Sequence, residues 1–157
     1  VPETYDQLMD IAQFFTRPDE GLYGVAIYTQ KDYDAITMGV ENTMFSWGAD
    51  WKDPETLEVE GVVNSERAVE AVQFYKDLYD CCQAPGLSNA FFTETNDALI
   101  SGQVAMSMNY FAFFPALANP AINPYAETTG LRRTACGARR PGHEHHLLHQ
   151  PGASAGC

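Results

Sequence analysis

Asn109, Tyr110, Phe111, Phe113 and Phe114 arrive together at the end of a short apolar run, Val104-Ala105-Met106-Ser107-Met108. An amide beside several aromatic rings suits a wall for a neutral polar ligand. Ring faces cover apolar C–H surface, and the amide pairs with hydroxyls. Such walls form where loops leave the carboxyl ends of α/β strands. Phe113 and Phe114 read first as packing residues, since aromatics are mostly buried for their area.

Three other groupings are candidates for chemistry. Glu58 and Glu60 alternate around Val59, so on a strand both carboxylates would point one way and imitate a glycosidase pair. An exposed edge with a two-residue offset reads more simply as two solvated glutamates. No G-x-S-x-G, P-loop or His-Glu-x-x-His pattern accompanies them. His143, Glu144, His145, His146 and His149 have spacings that a helix could turn into a zinc or nickel site. Pro141-Gly142 and Pro151-Gly152 bracket them, however, and nothing supplies outer hydrogen bonds. We therefore expect no metal and no other cofactor. Cys81 and Cys82 are adjacent at a helix end, where the expectation is a bond to a more distant cysteine or a buried small apolar residue rather than a bond to each other.

The chain has 157 residues, 45% hydrophobic and 19% charged, an ordinary globular composition large enough for one core. Its net charge of −12 is unevenly spread. Residues 1–130 carry 20 acidic and 5 basic side chains, a balance of −15, whereas residues 131–157 carry 1 acidic and 4 basic, a balance of +3. All four histidines and two of the four cysteines fall in that last segment. The break divides the chain into a body, 1–130, and a tail, 131–157. The acidic body disfavours nucleic acid, because phosphate binding needs clustered Lys and Arg. No apolar run approaches the roughly 18 residues of a membrane span, and VPETYDQ lacks the basic and apolar parts of a signal peptide. The first residue is valine, so the natural start is expected upstream.

The elements that must position the aromatic wall follow from periodicity. Thr4-Tyr5-Asp6-Gln7 is a capping box ahead of Leu8, Ile11, Ala12 and Phe15 at helical spacing. Tyr23 to Tyr28 is a strand. Asp32 caps a helix from Tyr33 to about Phe45, with Ile36, Val40 and Met44 in register, and Trp47-Gly48-Ala49-Asp50-Trp51 closes it. Lys52 to Val63 reads as a turn at Asp53-Pro54 and an edge hairpin with Leu57, Val59 and Val62 inward. Asn64-Ser65 caps a helix from Glu66 to about Cys82, whose stripe is Ala68, Val69, Val72, Tyr75, Leu78 and Tyr79. A helix capped by Thr93 or Thr95 ends at Gly102, and Val104, Ala105, Met106 and Met108 form a strand with both faces largely covered. Pro115 to Ala118 is a short helical turn. The tail has no Val, Ile, Phe, Tyr or Trp and is expected to be disordered. Its composition suits out-of-frame reading of GC-rich coding sequence, a hypothesis that an uninterrupted frame on resequencing would sink.

The ordered set Pro2-Glu3-Thr4-Tyr5-Asp6-Gln7-Leu8, the helix ending Trp47-Gly48-Ala49, Asn64-Ser65-Glu66-Arg67-Ala68-Val69 leading to Phe74-Tyr75-Lys76-Asp77-Leu78, and Phe92 with Ser101-Gly102-Gln103-Val104-Ala105-Met106 resembles the extracytoplasmic solute-binding proteins of ATP-driven sugar importers, of the maltose-binding type. The last motif resembles F-x-x-G-x-[AV]-A-M with one change of spacing. The resemblance covers residues 1–130; the tail lies outside it. It implies an α/β fold of the periplasmic-binding-protein type II kind, of which this chain holds most of the second lobe. It implies a fragment that binds a sugar or polyol for the membrane permease subunits of an ABC importer, as a monomer, without catalysis, in the periplasm or another extracytoplasmic space. By position in the family pattern, the stacking aromatic is Tyr110 or Phe111, with Asn109 as hydrogen-bonder; Tyr33 and Asp34 form a second contact loop, and Trp47 and Gly48 a third. A carbohydrate-active enzyme fragment and a non-catalytic interaction module are the alternatives.

Overall fold

In the computed structural model, residues 2–31 and 34–131 are described. The first helix, α1 (Tyr5–Phe15), starts where Thr4 holds extended backbone and its hydroxyl accepts from the Gln7 N–H at 3.3 Å. The Gln7 side chain returns the bond one residue earlier than a strict capping box requires, accepting from the Glu3 N–H at 2.8 Å. The helix buries Tyr5, Leu8 and Ala12 and leaves Ile11 and Phe15 half-buried.

Strand β1 (Tyr23–Ala26) runs beneath α1, and Gly24 makes that approach possible. A Cβ there would lie 2.0 Å from the Ala12 carbonyl oxygen, inside backbone that cannot rotate aside. Thr16, the C-cap of α1, joins the two elements. Its hydroxyl donates to the Ala12 carbonyl at 2.7 Å and accepts from the Gly24 N–H at 3.1 Å. Strand β2 (Val104–Ser107) lies parallel to β1, pairing Tyr23 with Val104, Val25 with Met106 and Ala26 with Ser107. Beyond β1 the Gln83 side-chain amide takes the place of a further strand, accepting from the Ile27 N–H and donating to the Ile27 carbonyl.

Between the strands come α2 (Ala35–Ser46), α3 (Glu66–Cys82) and α4 (Phe92–Ile100). The inward face of α3 is Ala68, Ala71, Tyr75, Leu78 and Cys82. Val69 and Val72, expected in its stripe, are exposed, at 59% and 44%. The small alanines let α2 pack close, so the buried stripe is narrower than the apolar one and turns away from the valines. The main core joins α1, β1 and α3 through Tyr5, Val25, Ile27, Tyr75 and Leu78. A second cluster packs α4 against the sheet through Ala26, Ala98 and Val104.

Several expectations are corrected. Residues 52–63 form no hairpin. Asp53 accepts from the N–H groups of Glu55 and Thr56 at 2.8 Å each, and this local turn competes successfully with strand pairing. Leu57 and Val59 consequently face solvent, and Glu58 and Glu60 have no strand to align them. In α4 the N-cap is Phe91, whose N–H donates to the Glu94 carboxylate at 3.0 Å. Thr95 sits one turn inside, fully buried, donating back to the Phe91 carbonyl. Gly102 ends the helix in the left-handed region, at φ +74°, as expected. Only Val104 of β2 is buried; the others are half-buried along an open cavity that the strand borders. Cys81 and Cys82 are bonded to each other. They are the last two residues of α3, immediately before its extended C-cap Gln83. The expectations for residues 132–157, including disorder, the histidine cluster, Cys136 and Cys157, lie outside the described residues, as do Asp32 and Tyr33. Among the described residues no helix is long and apolar enough to cross a membrane.

Candidate functional site

The chain leaves β2 through Met108 and Asn109, turns at Tyr110 and enters a 3₁₀ turn, Phe111–Phe113, followed by α5 (Phe114–Leu117). The Met108 N–H donates to the Ala26 carbonyl at 2.9 Å, so the sheet pairing carries on to the residue before Asn109.

Asn109 then stops the strand with its side chain. Its Oδ1 accepts from the Tyr28 hydroxyl and from the Tyr110 N–H, the latter at 2.7 Å. Its Nδ2 faces the Asn96 Oδ1 at 2.8 Å, the Thr95 hydroxyl at 2.9 Å and the Phe92 carbonyl at 3.0 Å. An asparagine amide offers two acceptor sites and two protons. All four are therefore committed within the protein, and the amide is a bracket tying the end of β1 to α4. Tyr28 is buried behind it, and burial pushes its phenol up to about 12. The Tyr75 hydroxyl donates to the Tyr28 carbonyl at 2.8 Å, and its own phenol is likewise raised by burial.

The bracket holds two aromatic rings outward. Phe111 is 70% exposed and Tyr110 is 37% exposed. Tyr110 leans on Tyr28, with ring centroids 6.0 Å apart, and Phe111 lies nearly parallel to Phe114 at 6.4 Å. Phe113 turns the other way and stacks on Phe92 at 4.5 Å, a packing role. Asn109, Tyr110, Phe111 and Phe114 all border a cavity of about 970 Å³.

Helix α2 forms the facing side with Met38, Glu41, Asn42 and Phe45. The Tyr110 hydroxyl touches the Met38 sulfur. The Tyr110 phenol is raised by desolvation and by the negative charges of Asp34 and Glu41, so both carboxylates act on the ring that projects from the wall. Glu41 also accepts from the Trp51 indole N–H at 2.8 Å, which holds one carboxylate oxygen and leaves the other available.

The site residues expected from sequence thus fall into three places. Asn109, Tyr110 and Phe111 come together on the cavity. Asp34 stands at the N-cap of α2, within electrostatic reach of Tyr110. Trp47 packs its ring 4.4 Å from Tyr5 and 5.1 Å from Phe74, and Gly48 ends α2 at φ +73°; neither borders the cavity. Sequence reasoning missed Glu41, Met38 and Tyr28. Met38 and Glu41 are three apart on one helix face, a signal too common to single them out. Among the described residues no three His, Cys, Asp or Glu gather in a metal-binding arrangement.

This geometry offers exposed ring faces on the same cavity as the Glu41 carboxylate, which suits a neutral molecule rich in hydroxyls. No protein-family model matches the chain, and no curated protein sequence matches it significantly. Solved structures do. An ABC transporter solute-binding protein of Agrobacterium radiobacter K84, in complex with ribitol, is similar over 90% of this chain at 22% identity, with a TM-score of 0.78. One from Agrobacterium vitis S4, with bound D-mannitol, is similar over 80% at 21% identity and a TM-score of 0.73. A third, from Thermotoga lettingae TMO, bound with α-D-tagatose, is similar over 78% at 20% identity and a TM-score of 0.63. The chain therefore has the α/β fold of part of a solute-binding protein. It spans 34% of the length of the first of these and 30% of the other two.

Proposed function

We propose that the chain is the polyol- or sugar-gripping part of one lobe of a solute-binding protein that delivers its ligand to the permease subunits of an ABC importer. The observation that carries this reading is the likeness over 90% of the chain to a ribitol-binding member of that class, at a TM-score of 0.78. The cavity agrees with it chemically. A linear polyol or a sugar carries no charge to grip, so ring contact and charge-assisted hydrogen bonds must supply affinity. Tyr110 and Phe111 provide the apolar faces, and Glu41 and Asp34 provide acceptors for hydroxyl protons. In this reading Asn109 positions the wall and leaves the ligand to its neighbours.

The function is binding without turnover, in an extracytoplasmic space, by a monomer. The acidic body, with its balance of −15, argues against a nucleic-acid partner. Residues 1–130 act as the lobe. Trp47 and Gly48 serve it from behind, as packing and as the stop of α2.

The test is calorimetric titration of the chain, and of the longer protein that contains it, with ribitol, D-mannitol, D-tagatose and an unrelated amino acid. Saturable heat with the hydroxyl-rich ligands and none with the amino acid is expected. It should be stronger in the longer protein, because closure over a ligand needs both walls. Absence of heat or of a melting shift with every polyol and sugar in the longer protein would refute the reading.

A further inference from the structure

Away from the cavity, three sulfur atoms converge where α1 and α3 pack. Cys81 and Cys82 are joined, which shows that both Sγ atoms reach one point although their residues are neighbours. The Met9 sulfur of α1 lies 3.6 Å from the Cys81 sulfur. A metal–thiolate bond near ~2.3 Å places two sulfurs of a trigonal set about 4 Å apart, close to this spacing. Cys81 is exposed, so reductant and metal have access, whereas Cys82 is 1% exposed and packed in the main core.

We propose that Met9, Cys81 and Cys82 form a redox-gated site for a soft monovalent cation of the Cu(I) type. In the disulfide form both cysteine sulfurs are spent and the site is closed. An external dithiol delivers two electrons and two protons: the Cys81–Cys82 bond breaks, two thiols form, and the dithiol closes into its own disulfide. Cu(I) then displaces the two thiol protons to solvent and is held by two thiolates and one thioether, the soft donors this ion prefers. Both helices are already packed there, so only the sulfurs need to reorient.

The test uses the full chain carrying Cys136→Ser and Cys157→Ser, so that Cys81 and Cys82 are its remaining cysteines. It is reduced with a dithiol, freed of reductant without air, and titrated with Cu(I) held by a coloured chelator; the disulfide form is titrated in parallel. Histidines contribute equally to both forms and cancel in the difference. The expected result is one further equivalent of Cu(I) in the reduced form. Cys81→Ser, at an exposed position and with no disulfide to form, takes up no more Cu(I) than the disulfide form of the parent, and Met9→Leu weakens the further site of the reduced form about tenfold with the thiol count unchanged. Circular dichroism of each metal-free variant reports whether it has folded. Equal uptake by the two forms of the parent, a further equivalent of Cu(I) that survives in reduced Cys81→Ser, or a folded Met9→Leu protein that binds like the parent would overturn the proposal.

Discussion

Replacing Asn109 by Ala separates a bracket from a ligand contact. The Tyr28 hydroxyl, on a residue only 5% exposed, loses its acceptor, and a buried donor left unpaired costs roughly 1–3 kcal/mol. The Asn96 Oδ1, on a residue 7% exposed, loses its donor at 2.8 Å, adding roughly 1 kcal/mol. The other partners lose less. The Thr95 hydroxyl keeps its bond to the Phe91 carbonyl, and the Phe92 carbonyl still accepts from Thr95. The Tyr110 N–H lies at an exposed position where water replaces the amide. We expect a total loss of about 2–4 kcal/mol in unfolding free energy, measured by urea denaturation of the full chain followed through tryptophan fluorescence. Asn109→Asp sharpens the test. It keeps the acceptor for Tyr28 and Tyr110 but turns a second oxygen toward three oxygens, so it too is destabilised near neutral pH. It regains stability as the pH falls and the carboxyl acquires a proton to donate. A folded Asn109→Ala protein within ~0.5 kcal/mol of the parent that binds polyols more than about tenfold more weakly would refute the bracket and return the amide to the ligand.

Three further outcomes are expected. Gly24→Ala drives a Cβ to 2.0 Å from the Ala12 carbonyl and forces α1 off β1, costing about 3 kcal/mol; an unchanged urea midpoint would show that the helix shifts freely. Tyr28 has a folded-state phenol raised from 10.0 to about 12, so the unfolded chain releases that proton first. Its contribution is complete below pH 10 and is lost as the pH climbs toward 12; the Tyr28→Phe variant should show a shallower decline over that window, and an identical slope would remove Tyr28 as the cause. Phe111→Ala removes a ring that is 70% exposed, so stability should stay within ~0.5 kcal/mol while polyol affinity in the longer protein falls about tenfold, read by calorimetry. Unchanged affinity would take Phe111 off the ligand wall.

What the sequence determined by itself is what short range controls. Thr4 with Gln7, Ser65 ahead of Glu66, and Gly102 after α4 carry their cap chemistry within a few residues, and the structure realises each at or beside its expected place. The apolar run ending at Asn109 likewise announced a strand delivering aromatics. Which way those aromatics point was decided elsewhere. Phe111 and Phe113 are two residues apart, yet one faces the cavity and the other stacks on Phe92 of α4. Asn109 looks available in the sequence because its five partners lie on Tyr28, Phe92, Thr95, Asn96 and Tyr110, most of them brought near only by the parallel pairing of β1 with β2. The valines of α3 fail for the same reason: periodicity marks an apolar stripe, but burial depends on which neighbour covers it. Local hydrogen bonds and backbone preferences are written residue by residue, whereas the saturation of an amide or the exposure of a ring is a property of contacts between segments far apart in the chain.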